Sequence, residues 1–100
     1  MNIRFEKVNK YIREQYHQKL SKKKFLWRIY NQIDGRATFT ESIILKIISY
    51  IKKNYTDCDV IYFEEDIERW RYSPILLSFK NREDQNFFLL KFSGGIDLEV

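Results

Sequence analysis

Two residues able to act as nucleophile or general base stand alone in this sequence: His17 is the only histidine and Cys58 the only cysteine. A thiol–imidazole pair works within hydrogen-bond reach, with a third group orienting the base. These two fall in different expected elements, and no motif joins them. They read as an exposed or core-edge imidazole and a small buried thiol. Glu14 and His17 stand three apart, on one face of an expected helix. Carboxylate-bridged metal sites in bundles use that spacing twice, with further glutamates, so one copy reads as coincidence. Zinc binding asks for more His and Cys than the chain has.

Acidic residues gather more densely. Asp57, Asp59, Glu64, Glu65, Asp66 and Glu68 surround one expected strand. Paired carboxylates at a strand end can hold Mg²⁺ for phosphoryl chemistry, and a small Mg-dependent enzyme using Asp59 and Glu65 is one alternative reading. No Glu-x-Lys or Asp-x-Lys follows to complete a nuclease-like set, and such a run is more often a solvated face. The glycines are Gly35, Gly94 and Gly95, so no glycine-rich phosphate loop exists. The residues point to a non-enzymatic protein and call for no cofactor and no metal.

The basic residues carry the stronger functional signal. Lys22, Lys23, Lys24 and Arg28 sit at the start of an expected second helix, flanked by Lys19 and Arg36. Cations at a helix N-terminus oppose its dipole, which favours a role for the cluster. Phosphate backbones reward such clusters through counterion release. Phe25, Trp27 and Tyr30 interleave with the lysines. Facing solvent, Trp27 and Tyr30 would stack on bases or fill a partner's pocket; facing inward they would pad the edge of the core. The candidate nucleic-acid or partner surface is therefore Lys22, Lys23, Lys24, Trp27, Arg28 and Tyr30. A second candidate surface combines Asp59, Glu64, Glu65 and Asp66 with Arg69, Trp70 and Arg71. In a strand, Trp70 and Tyr72 would share one face, and Arg69 and Arg71 the other. These residue types are enriched at interface hot spots; the plainer reading is an edge strand whose arginines pair with Glu64, Glu65 or Glu68.

The elements that must position these groups follow from periodicity. Phe5, Val8, Ile12, Tyr16 and Leu20 recur at helical spacing and predict a first helix over about Asn2 to Leu20. Ser21 can cap a second helix over about Lys22 to Ile33, which Asp34-Gly35 ends. A third helix starts near Thr40, where Thr38-Phe39-Thr40-Glu41 reads as a capping box, or Phe39 and Ile44 as a staple. It is apolar almost all round from Ile43 to Ile51, as a central core helix is. Val60 to Phe63 then suits a buried strand, and Glu64 to Trp70 is either helix or exposed strand. Ser73-Pro74 breaks what precedes it. Ile75 to Lys80 and Phe87 to Phe92 read as a hairpin across the polar linker Asn81 to Asn86. Gly94-Gly95 turns the chain, and Ile96, Leu98 and Val100 alternate as an edge strand.

The expected fold is therefore α+β, with three N-terminal helices packed on a small C-terminal antiparallel β-sheet in a single domain of 100 residues. The 44% of hydrophobic residues suffice for one core. Thirteen isoleucines, eight phenylalanines and a lone Ala37 are the skew that an AT-rich genome encodes. No apolar stretch approaches the roughly 20 residues needed to cross a bilayer. No apolar leader segment precedes residue 20, and the single thiol suits a reducing compartment, so the expected location is the cytoplasm.

The net charge of +4 is divided unevenly. Residues 1–36 hold ten Lys/Arg against three Asp/Glu, a charge of +7; residues 57–100 hold five against ten, a charge of −5. Such polarity suits opposite partners at the two ends. Three helices and a hairpin form the order of a winged helix. A standard docking of that kind fails here, because the third helix offers few polar contacts and the would-be wing carries Glu83 and Asp84. The expected function is a small binding or regulatory protein that docks on nucleic acid, or on a nucleic-acid-handling protein, through a basic helical face. Phage or mobile-element accessory and inhibitor proteins are of this type. The remaining alternative is a self-associating protein whose +7 end meets the −5 end of the next copy, head to tail.

Overall fold

The computed structural model describes residues 1–55 and 57–99. The chain opens on a strand, β1 (Asn2–Lys7), followed by two short helices, α1 (Lys10–Gln15) and α2 (His17–Leu20). Asn9 caps α1, its Oδ1 accepting from the Ile12 amide at 2.9 Å. Then come β2 (Leu26–Asn31), β3 (Thr38–Phe39), α3 (Glu41–Asn54), β4 (Cys58–Tyr62), α4 (Glu64–Trp70), β5 (Ser73–Phe79), α5 (Arg82–Lys91) and β6 (Ile96–Asp97).

Among the described residues the six strands form one antiparallel sheet with β5 as its hub. β5 pairs with β4 along its length, with β2 at Leu26–Arg28 and with β3 at Thr38–Phe39. β1 lies beyond β2, and β6 beyond β1. Strand alternation sorts the side chains into two faces. Ile3, Phe5, Ile29, Ile75, Leu77 and Phe79 meet Ile44, Ile47 and Ile51 of α3 and Phe88 and Phe92 of α5 in the larger core. On the opposite face, Leu26 and Leu76 meet Val8, Ile12, Leu20 and Phe63, with Tyr16 and Ile61 at the margin. All seven residues of β5 are buried because both faces of the strand are covered.

Three N-terminal helices on a C-terminal sheet is not what the chain forms. Residues 2–7 and 26–31 are strands paired with each other, Phe5 opposite Ile29 and Glu6 opposite Arg28. The first helical stripe straddled a boundary: Phe5 packs toward the larger core, while Val8, Ile12 and Leu20 pack on the other face. Leu26-Trp27-Arg28-Ile29-Tyr30 satisfied a helical period too, but its aromatic and β-branched residues favour a pleated, half-buried surface. Ser21 ends α2 rather than starting a helix.

The hairpin expected at residues 87–92 is corrected as well, because Asn81 caps a helix there, its Oδ1 accepting from the Asp84 amide at 2.8 Å. Its apolar run splits accordingly: Phe88 and Phe92 are buried, while Phe87 and Leu90 face out. As expected, the helix before Ser73-Pro74 has ended by then, at Trp70, and the pair opens β5, with Pro74 opposite Thr38. The helix expected from Thr40 and the strand after Val60 are present as α3 and β4, although Leu45 of α3 is exposed, so α3 covers one face of the sheet instead of running through a core. β6 is a two-residue edge strand paired with β1; Val100 lies outside the described residues. No helix among the described residues is long and apolar enough to cross a membrane.

Candidate functional site

The turn between α2 and β2 brings the lysine run to one end of the sheet. Phe25 adopts the left-handed conformation, with φ of 52°, which costs energy for a non-glycine residue and needs outside support. The support is visible: the Lys24 carbonyl accepts both the Phe79 amide (3.2 Å) and the Ser78 hydroxyl (2.9 Å). The turn is thereby fastened to the end of β5, beside the start of β4. Between them lies an open cleft of about 580 Å³, lined by Lys22, Lys23, Lys24 and Lys80, by Asp57, Asp59 and Asp84, and by Cys58, Ser78 and Phe79.

The charges in the cleft are unevenly matched. Lys23 pairs with Asp59 at 3.2 Å, whereas among the described residues Lys22, Lys24 and Lys80 make no ion pair. Burial, then the nearby Asp59 and Asp57, pushes the Cys58 thiol up to about 11. At neutral pH it is therefore a protonated thiol, the wrong state for a nucleophile. His17 opens α2 on the surface, with Glu14 on the preceding helix, so the two do not share one helix. Among the described residues no group of three or more His, Cys, Asp or Glu is placed to hold a metal ion.

The other candidates from the sequence are dispersed. Trp27 is half-buried against the larger core, and its indole N–H donates to Gln85 Oε1 at 2.9 Å. Arg28 lies on the opposite face and pairs with Glu6. Tyr30 shares that face, across from Arg4. The expected basic helical face does not exist: the three lysines sit in a turn, and Trp27, Arg28 and Tyr30 in a strand whose alternation parts the tryptophan from the other two.

The acidic run divides between the two ends of β4. Asp57 and Asp59 face the cleft, while Glu64, Glu65 and Asp66 form the first turn of α4, where negative charge suits the exposed amides. Glu65 and Asp66 are held by different partners. Glu65 accepts from Lys19 Nζ at 2.9 Å; backbone hydrogen bonding at the helix start and then that lysine hold its carboxyl below the usual range. Asp66 accepts from the Tyr16 hydroxyl, whose ring stacks on Phe63 with centroids 3.7 Å apart; burial and Asp66 keep that hydroxyl protonated. Asp59 and Glu65 are thus not a carboxylate pair.

Arg69 and Trp70 end α4, with Arg71 as its left-handed cap. The segment is helix end and turn, not alternating strand. Trp70 is 66% exposed and Tyr72 40%. Sequence reasoning missed Lys80, Ser78 and the place of Asp84 in the cleft. Lys80 lies 56 residues from Lys24, and the pairing of Leu26 with Ser78, with the hydrogen bonds from Ser78 and Phe79 to the Lys24 carbonyl, brings the two together. No family model, curated protein or solved structure matches this chain.

Proposed function

We propose that the protein is a non-enzymatic docking protein that binds the phosphate backbone of a nucleic acid at the lysine cleft. The observation that carries this reading is the set of Lys22, Lys24 and Lys80, drawn from two distant segments to one open cleft and left without acidic partners among the described residues. A compact ammonium on a flexible stem suits phosphate as a point charge. Phe25, Trp27 and Tyr30, the aromatics near this run in sequence, do not line the cleft, and Phe79 alone among the described aromatics does, so the binding is electrostatic and indifferent to base sequence.

Three phosphate contacts on duplex DNA imply a log–log salt slope of about −3, and hence about a fortyfold loss of affinity between 50 and 200 mM salt. Fluorescence anisotropy with labelled single- and double-stranded DNA and RNA reads this directly. Substituting Lys22, Lys24 and Lys80 together by Ala should abolish both the binding and its salt dependence. Absence of binding at low salt would overturn the reading. It would favour instead a protein partner at Arg69, Trp70, Arg71 and Tyr72, for which the exposed Trp70 is the supporting observation.

A further inference from the structure

Among the described residues the outer edge of β4 pairs with no strand. Its backbone direction follows from the rest of the sheet. The Phe79 amide donates to Lys24 on the β2 side of β5, so by strand alternation Leu76 and Ser78 turn toward β4. Their partners Ile61 and Asp59 turn toward β5. The amides and carbonyls of Cys58, Val60 and Tyr62 therefore point outward, free to pair. The usual devices that blunt an edge are missing here: the strand has no proline, lysine or bulge. Its one charge, Asp59, already pairs with Lys23. Val60 and Tyr62 pack against the larger core and Ile61 against the smaller one, yet all three remain half-exposed, so both apolar layers stop short at this strand.

We infer that β4 is the interface of a homodimer, in which two copies pair their β4 strands antiparallel about a two-fold axis at Val60. Two observations select a second copy as the occupant. The outward residues are symmetric about Val60, so this register sets Cys58 opposite Tyr62 of the partner subunit and Val60 opposite Val60 of the partner subunit, and satisfies every outward group. The charges are weakly self-complementary in the same sense: at the Cys58 end Lys22, Lys23, Lys24 and Lys80 exceed Asp57, Asp59 and Asp84 by one, and at the Tyr62 end Glu64 is left over after Lys19 pairs with Glu65. An antiparallel two-fold brings unlike ends together twice, in a closed isologous contact, unlike the open head-to-tail chain considered from charge alone.

Sedimentation or light scattering across a concentration series tests this without nucleic acid, so failure here and failure of the phosphate reading are separate results. The chain should sediment at twice its monomer mass. Val60→Pro removes an amide that β5 does not use, and should raise the dimer dissociation constant about thirtyfold, because each copy loses one strand bond. Val60→Lys keeps the amide but sets two like charges against each other, and should also yield monomer; circular dichroism confirms that each variant is folded. With Cys58→Ala, Val60→Cys should crosslink to its counterpart through a short bifunctional thiol reagent. A monomer at high concentration, or a dimer that survives both Val60 substitutions, would overturn the inference.

Discussion

Ser73 is the smallest fully buried side chain with a demanding task, and removing its hydroxyl should have a measurable cost. It has no exposed surface, and neither has Phe63. Its Oγ accepts from the Phe63 amide at 2.8 Å and donates to the Pro74 carbonyl at 2.9 Å. Phe63 stands at the N-cap of α4 and makes no side-chain cap bond, so the serine fixes the point where β4 ends and α4 begins. Ser73→Ala leaves that amide buried without a partner. A stranded buried donor costs about 1–3 kcal/mol, and the loss of one oxygen leaves too little space for water to replace it. We expect a loss of about 2 kcal/mol in urea unfolding at unchanged slope, and a fall in Tm of about 10 °C for a chain of this size. Ser73→Cys, close in volume and able to accept weakly, should fall between the two. A Ser73→Ala change below about 0.5 kcal/mol, the range of an ordinary surface substitution, would refute the reasoning that this amide depends on the hydroxyl.

Phe88 lies within 5.2 Å, centroid to centroid, of Phe5, Phe79 and Tyr55 and 4.7 Å from Phe92, so Phe88→Ala should cost about 3–5 kcal/mol in chemical denaturation, whereas Leu90→Ser on the outer side of the same helix should stay within about 0.5 kcal/mol. The Cys58 thiol should react with a thiol reagent at mildly alkaline pH about a hundredfold more slowly than in the unfolded chain, since its acidity is weakened from 9.0 to about 11. Because the folded value is the raised one, its contribution to stability is complete below 9.0 and is lost as pH rises through about 11; Cys58→Ala should flatten that alkaline decline in denaturation midpoints.

Local chemistry in the sequence determined several elements outright. The Thr40 start and the dense isoleucine run made α3, and Phe39 and Ile44 do share one core. Val60 to Phe63 and Ile75 to Phe79 read as strands because their apolar runs are short and bounded. The charge polarity and the lysine run were equally plain. What only tertiary structure decided is the identity of segments whose pattern fits both periods. Residues 2–7 and 26–31 became strands because each completes the other's hydrogen bonding, and residues 82–91 became a helix because Asn81 caps it and one stripe meets the Phe5–Phe79 core. The polar stretch Asn81 to Asn86 reads as a hairpin linker, and the cap at Asn81 shows itself only in the structure. The cleft was half legible: Lys22, Lys23, Lys24 and Asp59 stood out, but Lys80 joins them through long-range strand pairing and the hydrogen bonds to the Lys24 carbonyl. Local sequence fixes which residues can turn, cap or alternate; which strand edges meet is set by burial across the whole sheet, and no spacing along the chain encodes that.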